Sequence, residues 1–425
     1  MADKFIAIRV PEGDAFYLHR EYEKRDIRIL VDGGGGYSSK KWKYFNSPRS
    51  TFTPIFSKAV VNQRKSGHDL IDVVVATHND ADHPSGLIEL IKDNIPITEL
   101  WVPALFGNVA IQMMESLYNT FDNIINYILE NLPEEVKTIE EALNFFQKEM
   151  ENPENIHKHR EEANKETQYI KNGPDRVNEY IEEVTVDQLR RGLRWNPESQ
   201  LPLGEYIHVR GFNWTSDGQA AVVEGFLELA NNIAKLCQMA AKNDISIRYF
   251  EYTDDQALKK SGGEAWLKPL NSKEITSIVK IYQPIVMLLT RTNRESLVFL
   301  SKHIEDHPAV LFSADSNFDF GLPPVTDGMI ITAPHHGSSS NNRLAVELAK
   351  LNTYQFLWIR SDGRLSSISK SQGANWSRPA SWYTALADVH ACTHCNDATV
   401  IQNVHAKVIS GRWKLYSATK KCRCT

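Results

Sequence analysis

The sequence predicts an α/β fold in which buried strands end in metal-binding side chains. Three observations lead there. The near-continuous apolar run Ile71-Asp72-Val73-Val74-Val75-Ala76 reads as a buried strand. Directly after it, His78, Asp80, Asp82 and His83 place four metal-capable side chains within six positions. Two later apolar runs behave alike: Ala309 to Phe312 leads to Asp315, and Met329 to Ala333 leads to His335 and His336. Imidazole and carboxylate donors at strand ends suit Zn²⁺, Mn²⁺ or Fe²⁺. The bland alternative is a polar loop that happens to be rich in His and Asp. Four ligand types after one strand, with distant partners of the same kind, favour a site.

The elements follow in order. Phe5 to Val10 and Ala15 to Leu18 read as a strand pair around the turn Pro11-Glu12-Gly13-Asp14. Ile27 to Val31 is a third strand, ending in Asp32-Gly33-Gly34. Residues 33–50, rich in Gly, Ser, Lys and aromatics, read as a rim loop. Lys40, Lys41 and Lys43 there either meet an anionic substrate or form a solvated charge run. Pro84 and Gly86 close the metal-rich turn, and Leu87 to Ile91 begins a helix. Ile97 to Pro103 is the next strand. Residues 105–244 then change character: Ile111, Met114, Leu117, Phe121, Ile124, Ile128 and Leu132 keep a helical period, Glu and Lys dominate from 134 to 183, and 220–241 is a second apolar helix. This stretch is too long for a plain loop and reads as a helical insertion. Packing is its default role; substrate access, dimerisation or partner binding are the alternatives. Strands return at Ile245 to Phe250 and from Thr292 to Leu300, and Phe356 to Ser361 adds another.

His78-x-Asp80-x-Asp82-His83 resembles the HxHxDH motif of the metallo-β-lactamase fold, with Asp80 in place of the second His. In the setting THNDADHPSG it most resembles the hydrolase domain of competence-type DNA-uptake channel (ComEC-like) proteins. Asn293-x-x-Ser296-Leu297-Val298 and Pro334-His335-His336-Gly337-Ser338 are similar to later elements of that group. The resemblance spans residues 4–104 and 245–385 and implies an αββα sandwich. It implies a catalytic domain of residues 1–104 and 245–388, a helical insertion at 105–244, and a C-terminal cysteine-bearing element at 389–425.

The resemblance also implies roles. His78 and Asp80 would face one metal, Asp82 and His83 the other, and Asp315 would bridge them. His335, the first after its strand, is the expected last ligand of the second metal, with His336 as the alternative. Asp32 would support the metal-binding loop through hydrogen bonds, and Asp82 would also orient the reacting water. Ser338 is placed to touch substrate. Arg378 stands where the family has a His; it would either clamp a phosphate or pack at a helix start, and it cannot act as an acid near neutral pH. A His is missing at the family's third motif, because His157, His159 and His208 fall in the insertion and His303 and His307 in a polar loop. That would leave the first metal, with His78 and Asp80, weakly held or filled only with substrate.

Net charge is −5, which excludes a wholly basic nucleic-acid binder but not a local basic groove. No apolar run approaches the ~20 residues that span a bilayer, and the N-terminus lacks a signal pattern. The expectation is a cytoplasmic chain without a membrane segment, unlike the uptake channels. Of five cysteines, Cys237 sits in an apolar helical pattern and reads as core. Cys392, Cys395, Cys422 and Cys424 could form one structural zinc site, with the strand-like segments 406–410 and 413–416 between the two pairs. Unconnected thiols or a redox pair are the alternatives. A carboxylate-rich pair of Zn²⁺ sites, with Mn²⁺ as an alternative, suits phosphate oxygens. The expected activity is therefore a metal-dependent phosphodiesterase or nuclease on a nucleic acid or nucleotide. Hydrolysis of another ester, thioester or lactam is the runner-up. A partner-regulated effector of a bacterial conflict system is a third reading, with a protein partner or homo-oligomer formed through the insertion.

Overall fold

The computed structural model describes residues 3–10, 12–35, 52–60, 70–80, 82–115, 117–151, 183–195, 217–253, 261–279, 284–304, 306–337, 341–351, 354–361, 389–393 and 403–416. Ser338, Arg378, Cys395, Cys422 and Cys424, together with the lysine-bearing rim loop, lie outside these residues. The chain is mixed α/β and divides into two units. One comprises Met1–Pro103, Asn243–Glu274 and Glu295–Thr425; the other comprises Ala104–Lys242 and Ile275–Arg294.

In the first unit, every side chain of strand Ile71–Val75 is buried, as its apolar run predicts. It lies near the middle of a nine-stranded sheet. The spatial order is Arg412–Leu415, Val404–Ile409, Lys4–Ala7, Phe16–Tyr22, Arg25–Val31, Ile71–Val75, Ile97–Pro103, Ser246–Tyr252 and Ser272–Ile275. Arg25–Val31 and Ile97–Pro103 both flank Ile71–Val75 in parallel. A six-stranded sheet runs Val389–Cys392, Leu357–Arg360, Ile330–Thr332, Val310–Phe312, Phe299–Ser301 and Lys268–Pro269.

Alternation along the strands decides what each face buries. Phe5, Phe16, Leu18, Val31, Val73, Val75 and Trp101 of the large sheet share one core with Phe299, Val310, Phe312, Ile330 and Ile359 of the small one. On the other face of the large sheet, Tyr17 meets Phe56 of helix Phe52–Val60 edge-on at 5.7 Å. Beyond the small sheet, Leu311, Ile331 and Trp358 pack with Leu344, Ala345 and Leu348 of helix Arg343–Leu348. Arg20 ties the two sheets together: it pairs with buried Asp3 at 3.1 Å and donates to Ser301 Oγ and to the carbonyls of Lys302 and Pro308.

Two expectations change here. The Thr292-to-Leu300 segment is not one strand: helix Ile285–Arg294 takes its beginning, and the strand starts at Phe299. The segment 389–425 is not a separate element within its described part. Val389–Cys392 is an edge strand of the six-stranded sheet, and Val404–Ile409 pairs with Lys4–Ala7. Its hairpin turns at Ser410 and Gly411, both at positive φ, the turn geometry that matches strand twist.

The second unit is helical: Ala104–Glu115, Leu117–Asn131, Ile139–Glu151, Val186–Trp195, Asp217–Lys242 and Ile285–Arg294. Phe146 centres its packing, with Tyr127 at 5.6 Å and Phe226 at 6.0 Å. Cys237 is fully buried on the long helix, as its pattern predicts. A short strand pair, Glu183–Thr185 with Ser277–Val279, escaped the sequence reading. Among the described residues no helix is long and apolar enough to cross a membrane.

Candidate metal centre

The site lies wholly in the first unit, past the carboxyl ends of its parallel strands. His78 follows Ile71–Val75, Asp315 follows Val310–Phe312, and His335 and His336 follow Ile330–Thr332. Those last two strands run parallel, so their ends deliver side chains to one place. Ser313 fastens them: its amide donates to Thr332 Oγ1 at 2.9 Å and its hydroxyl donates to the Thr332 carbonyl. The backbone then turns sharply. Ala314, His335 and His336 all adopt left-handed φ values of 45°, 47° and 53°. The His335 amide donates to the Ala314 carbonyl at 2.9 Å and joins the two loops.

Asp315 is the hub. Its Oδ2 lies 3.6 Å from His78 Nε2 and 3.5 Å from His335 Nε2. Its Oδ1 lies 3.5 Å from His83 Nε2 and 3.8 Å from His336 Nε2. Asp82 completes the second group, 3.8 Å from His83 Nε2 and 3.6 Å from His336 Nε2. The structure therefore seats His336, not His335, beside Asp82 and His83, because two consecutive left-handed residues point their side chains to different sides. His335 joins His78 instead. Asp80 has its carboxyl held above the usual carboxylate range, by burial first and then by Asp82.

Behind the ligand atoms stands a second layer. Asp32, itself at φ 56°, accepts from the Thr77 amide at 2.9 Å, the Thr77 hydroxyl at 2.7 Å and His83 Nδ1 at 2.9 Å. His78 Nδ1 sits 3.0 Å from Thr77 Oγ1. Asp32 thereby ties Thr77 to His83 across the loop. Asp14 does the same for His336, with Oδ1 at 3.1 Å from Nδ1. Asn341 faces His335 Nδ1 at 3.0 Å and donates to the Asp315 carbonyl at 3.0 Å. Sequence reasoning missed Asp14 and Asn341. Asp14 was read as a turn residue; its partner is 322 residues away, so no local signal marks it. The turn carrying it is pressed against the His- and Asp-rich loop: a Cβ on Gly13 would lie 1.5 Å from the Asp82 carbonyl oxygen.

The donor set fits metal ions. His78 Nε2, His83 Nε2 and Asp315 Oδ1 are buried without a hydrogen-bond partner among the described residues. Such groups cost free energy unless something else satisfies them. Their separations of 3.5 to 3.8 Å exceed hydrogen-bond length. Two donors each about 2.1 Å from one tetrahedral ion stand about 3.4 Å apart, close to these spacings. Asp14, His83, Asp315 and His336 also bring one ligand atom each within 4.8 Å of one another. Opposite charges are packed tightly here. Burial alone would raise the Asp315 carboxyl, but His335, His83, His336 and His78 hold it well below its ordinary range. Burial would lower the His336 imidazole, but Asp14, Asp315 and Asp82 lift it to about 9.

Of the cysteines expected to hold structural zinc, Cys392 is buried at the end of its strand, and the other three lie outside the described residues. The chain matches no protein-family model and no curated protein.

Proposed function

We propose that this chain is a metal-dependent hydrolase of the metallo-β-lactamase class, acting on a phosphodiester of a nucleic acid or nucleotide. The observation that supports it most is Asp315, whose two carboxylate oxygens each face a different pair of imidazoles. That is the layout of a carboxylate shared by two ions. The αββα layering and the HxDxDH and Pro-His-His-Gly-Ser motifs support the same class. His78 and His335, with Asp80 nearby, would hold one ion; Asp82, His83 and His336 would hold the other. Bound Zn²⁺ or Mn²⁺ would supply an acidified water as nucleophile and neutralise charge on the phosphate.

The chain's own residues prepare that chemistry. Hydrogen bonds from the Nδ1 atoms to Asp32 and Asp14 fix His83 and His336 in the tautomer that turns an Nε2 lone pair inward. Asp82 is less buried than these imidazoles, which leaves its carboxylate placed to orient a water. The carboxylate-rich donor set of Asp80, Asp82 and Asp315 favours phosphate oxygens over softer substrates. Ser338 and Arg378 remain the proposed substrate contacts. The helical unit is the proposed docking element for a protein partner or a second copy.

The test is a panel of phosphodiesters, lactams and thioesters with Zn²⁺ or Mn²⁺, run on the wild type, Asp82→Ala and His83→Ala. Phosphodiester cleavage lost in both variants is expected. Cleavage confined to lactams or thioesters would replace the substrate class. Turnover that survives both substitutions would remove the proposed site.

A further inference from the structure

The first hairpin, which carries Asp14, is not closed in the ordinary way. Lys4–Ala7 and Phe16–Tyr22 pair as far as Ala7 and Phe16. In the next pair, Ile8 and Ala15, the Ile8 amide donates to the Ala15 carbonyl at 2.9 Å. Such a pair normally exchanges both of its backbone hydrogen bonds. Here the return bond runs through a side chain. The Ala15 amide donates to Ser361 Oγ at 3.1 Å, and Ser361 Oγ donates to the Ile8 carbonyl at 2.6 Å, with the Ala15 carbonyl farther off at 3.4 Å. Ser361 is fully buried. It follows strand Leu357–Arg360, the parallel neighbour of Ile330–Thr332, which leads to His335 and His336. Thr393, also fully buried, holds it there: its amide donates to the Arg360 carbonyl at 3.2 Å and its hydroxyl to the Ser361 carbonyl. The far end of the turn meets the candidate site. Gly13 abuts the Asp82 carbonyl, and Asp14 Oδ1 lies 3.1 Å from His336 Nδ1, near the long end of hydrogen-bond length. Between base and tip, the Gly35 amide pins the Glu12 carbonyl at 2.9 Å, a point about which the turn can pivot. A small movement at the base would therefore break the bond at the tip.

We propose that Ser361 is a positioning residue of the metal centre, acting through the hairpin: its hydroxyl splits the last rung and sets the turn where Asp14 meets His336. Without the hydroxyl, the Ala15 amide and the Ile8 carbonyl have each other as partners. One bond of about 2.9 Å then replaces two in series, the rung closes, and the tip of the turn moves. Neither backbone group is stranded by the change, so the fold stays near wild-type stability while Asp14 leaves His336. A bond that served the fold alone would do the reverse. This rests on the metallohydrolase reading above and deepens it: the imidazole facing Asp82 is aligned from the end of a strand in the six-stranded sheet.

The experiment is proton NMR of the chelator-treated full chain, isotope-labelled at histidine, paired with a Zn²⁺ titration. Imidazole protons shared with carboxylates resonate far downfield, so the wild type should show those of His336 and His83 there. His336→Gln assigns the first by its absence. In Ser361→Ala the His336 resonance should be lost or move upfield, and the His83 resonance should stay. Ser361→Thr, which keeps the hydroxyl, should restore it. Zn²⁺ affinity should fall by about 10–100-fold in Ser361→Ala, the usual effect of losing such a partner, and recover in Ser361→Thr. If Ser361→Ala does not fold, Thr393→Val, which frees the Ser361 carbonyl, is expected to move the same resonance. An unmoved His336 resonance in a folded variant, or joint loss of both resonances, would overturn the positioning role and leave the metal reading standing. No Zn²⁺ binding by the wild type, with the His336 resonance moving as expected, would overturn the metal reading and with it the part of Ser361 in a metal centre.

Discussion

Replacing Gly13 with alanine probes how tightly the first hairpin holds the loop of His78 to His83. Gly13 sits at φ 83°, and a Cβ there would lie 1.5 Å from the Asp82 carbonyl oxygen and 2.5 Å from its carbon. A carbon and an oxygen in contact need about 3.3 Å, so the two segments must part by about 1.8 Å. Neither has room to give. The neighbouring His83 carbonyl accepts from the Gly33 amide at 2.7 Å, and Asp14 is held by His336. Left-handed backbone alone costs an alanine about 1–2 kcal/mol; with the displaced contact, a total of about 3 kcal/mol or more is expected. A shift of this size at Asp82 and Asp14 should weaken Zn²⁺ binding and cut turnover by at least ~100-fold, since about 1 Å of misplacement has that effect. Gly411→Ala is the control. It has φ 69° but nothing within 4 Å of its Cβ, so it should show the backbone cost alone and bind Zn²⁺ normally. Urea denaturation and a Zn²⁺ titration of the two variants make the comparison. Equal stability losses, with normal Zn²⁺ binding by Gly13→Ala, would refute the close approach.

Asp315→Ala removes the oxygens that face both groups of imidazoles, so elemental analysis should find both ions lost; retention of two equivalents would show that Asp315 does not bridge. Arg20→Met should cost about 1–3 kcal/mol in urea denaturation, because buried Asp3 loses its guanidinium partner and keeps only His307 at 2.9 Å and the Glu21 amide at 3.2 Å. A loss below about 1 kcal/mol would show that the pair is dispensable. In the chelator-treated protein, His336 rises from 6.5 to about 9, a difference of about 3 kcal/mol. Its imidazolium favours the folded state fully below pH 6.5, and that contribution disappears as the pH climbs through about 9. Thermal denaturation of the metal-free chain should therefore show falling stability across this interval, and His336→Gln should flatten the fall; an unchanged slope in the variant would assign the effect elsewhere.

Much of the candidate site was legible because its side chains are local to strand ends. A buried strand announces itself by its apolar run, and the polar residues that interrupt it must sit at its end. His78, Asp82, His83, Asp315 and the His335-His336 pair were all read this way. What the sequence withheld depends on long-range pairing or on backbone dihedrals. Nothing in Gly13-Asp14 distinguishes a hairpin turn from one wedged against a loop some seventy positions on. The C-terminal strands looked self-contained because a hairpin is locally complete, whereas their pairing joins Lys4 to Lys407 across nearly the whole chain. The choice between His335 and His336 turned on two left-handed residues in a row, a conformation that steric preference argues against in any non-glycine residue.

That unfavourable backbone has a physical rationale. Asp32, Ala314, His335 and His336 all hold positive φ within one site, and each carries a strain of about 1–2 kcal/mol. Extended or helical backbone would continue the strand direction or coil away from it, and neither lets adjacent residues serve both sides of one carboxylate. The left-handed pair does so, with His335 Nε2 on Asp315 Oδ2 and His336 Nε2 on Oδ1. His335 thereby supplies an imidazole to the His78 side of Asp315. The strain is sustained by its anchors, the parallel strands behind it and the Ala314–His335 hydrogen bond across it. These anchors are backbone to backbone, so the loops are held by the fold itself and not by the side chains that meet there.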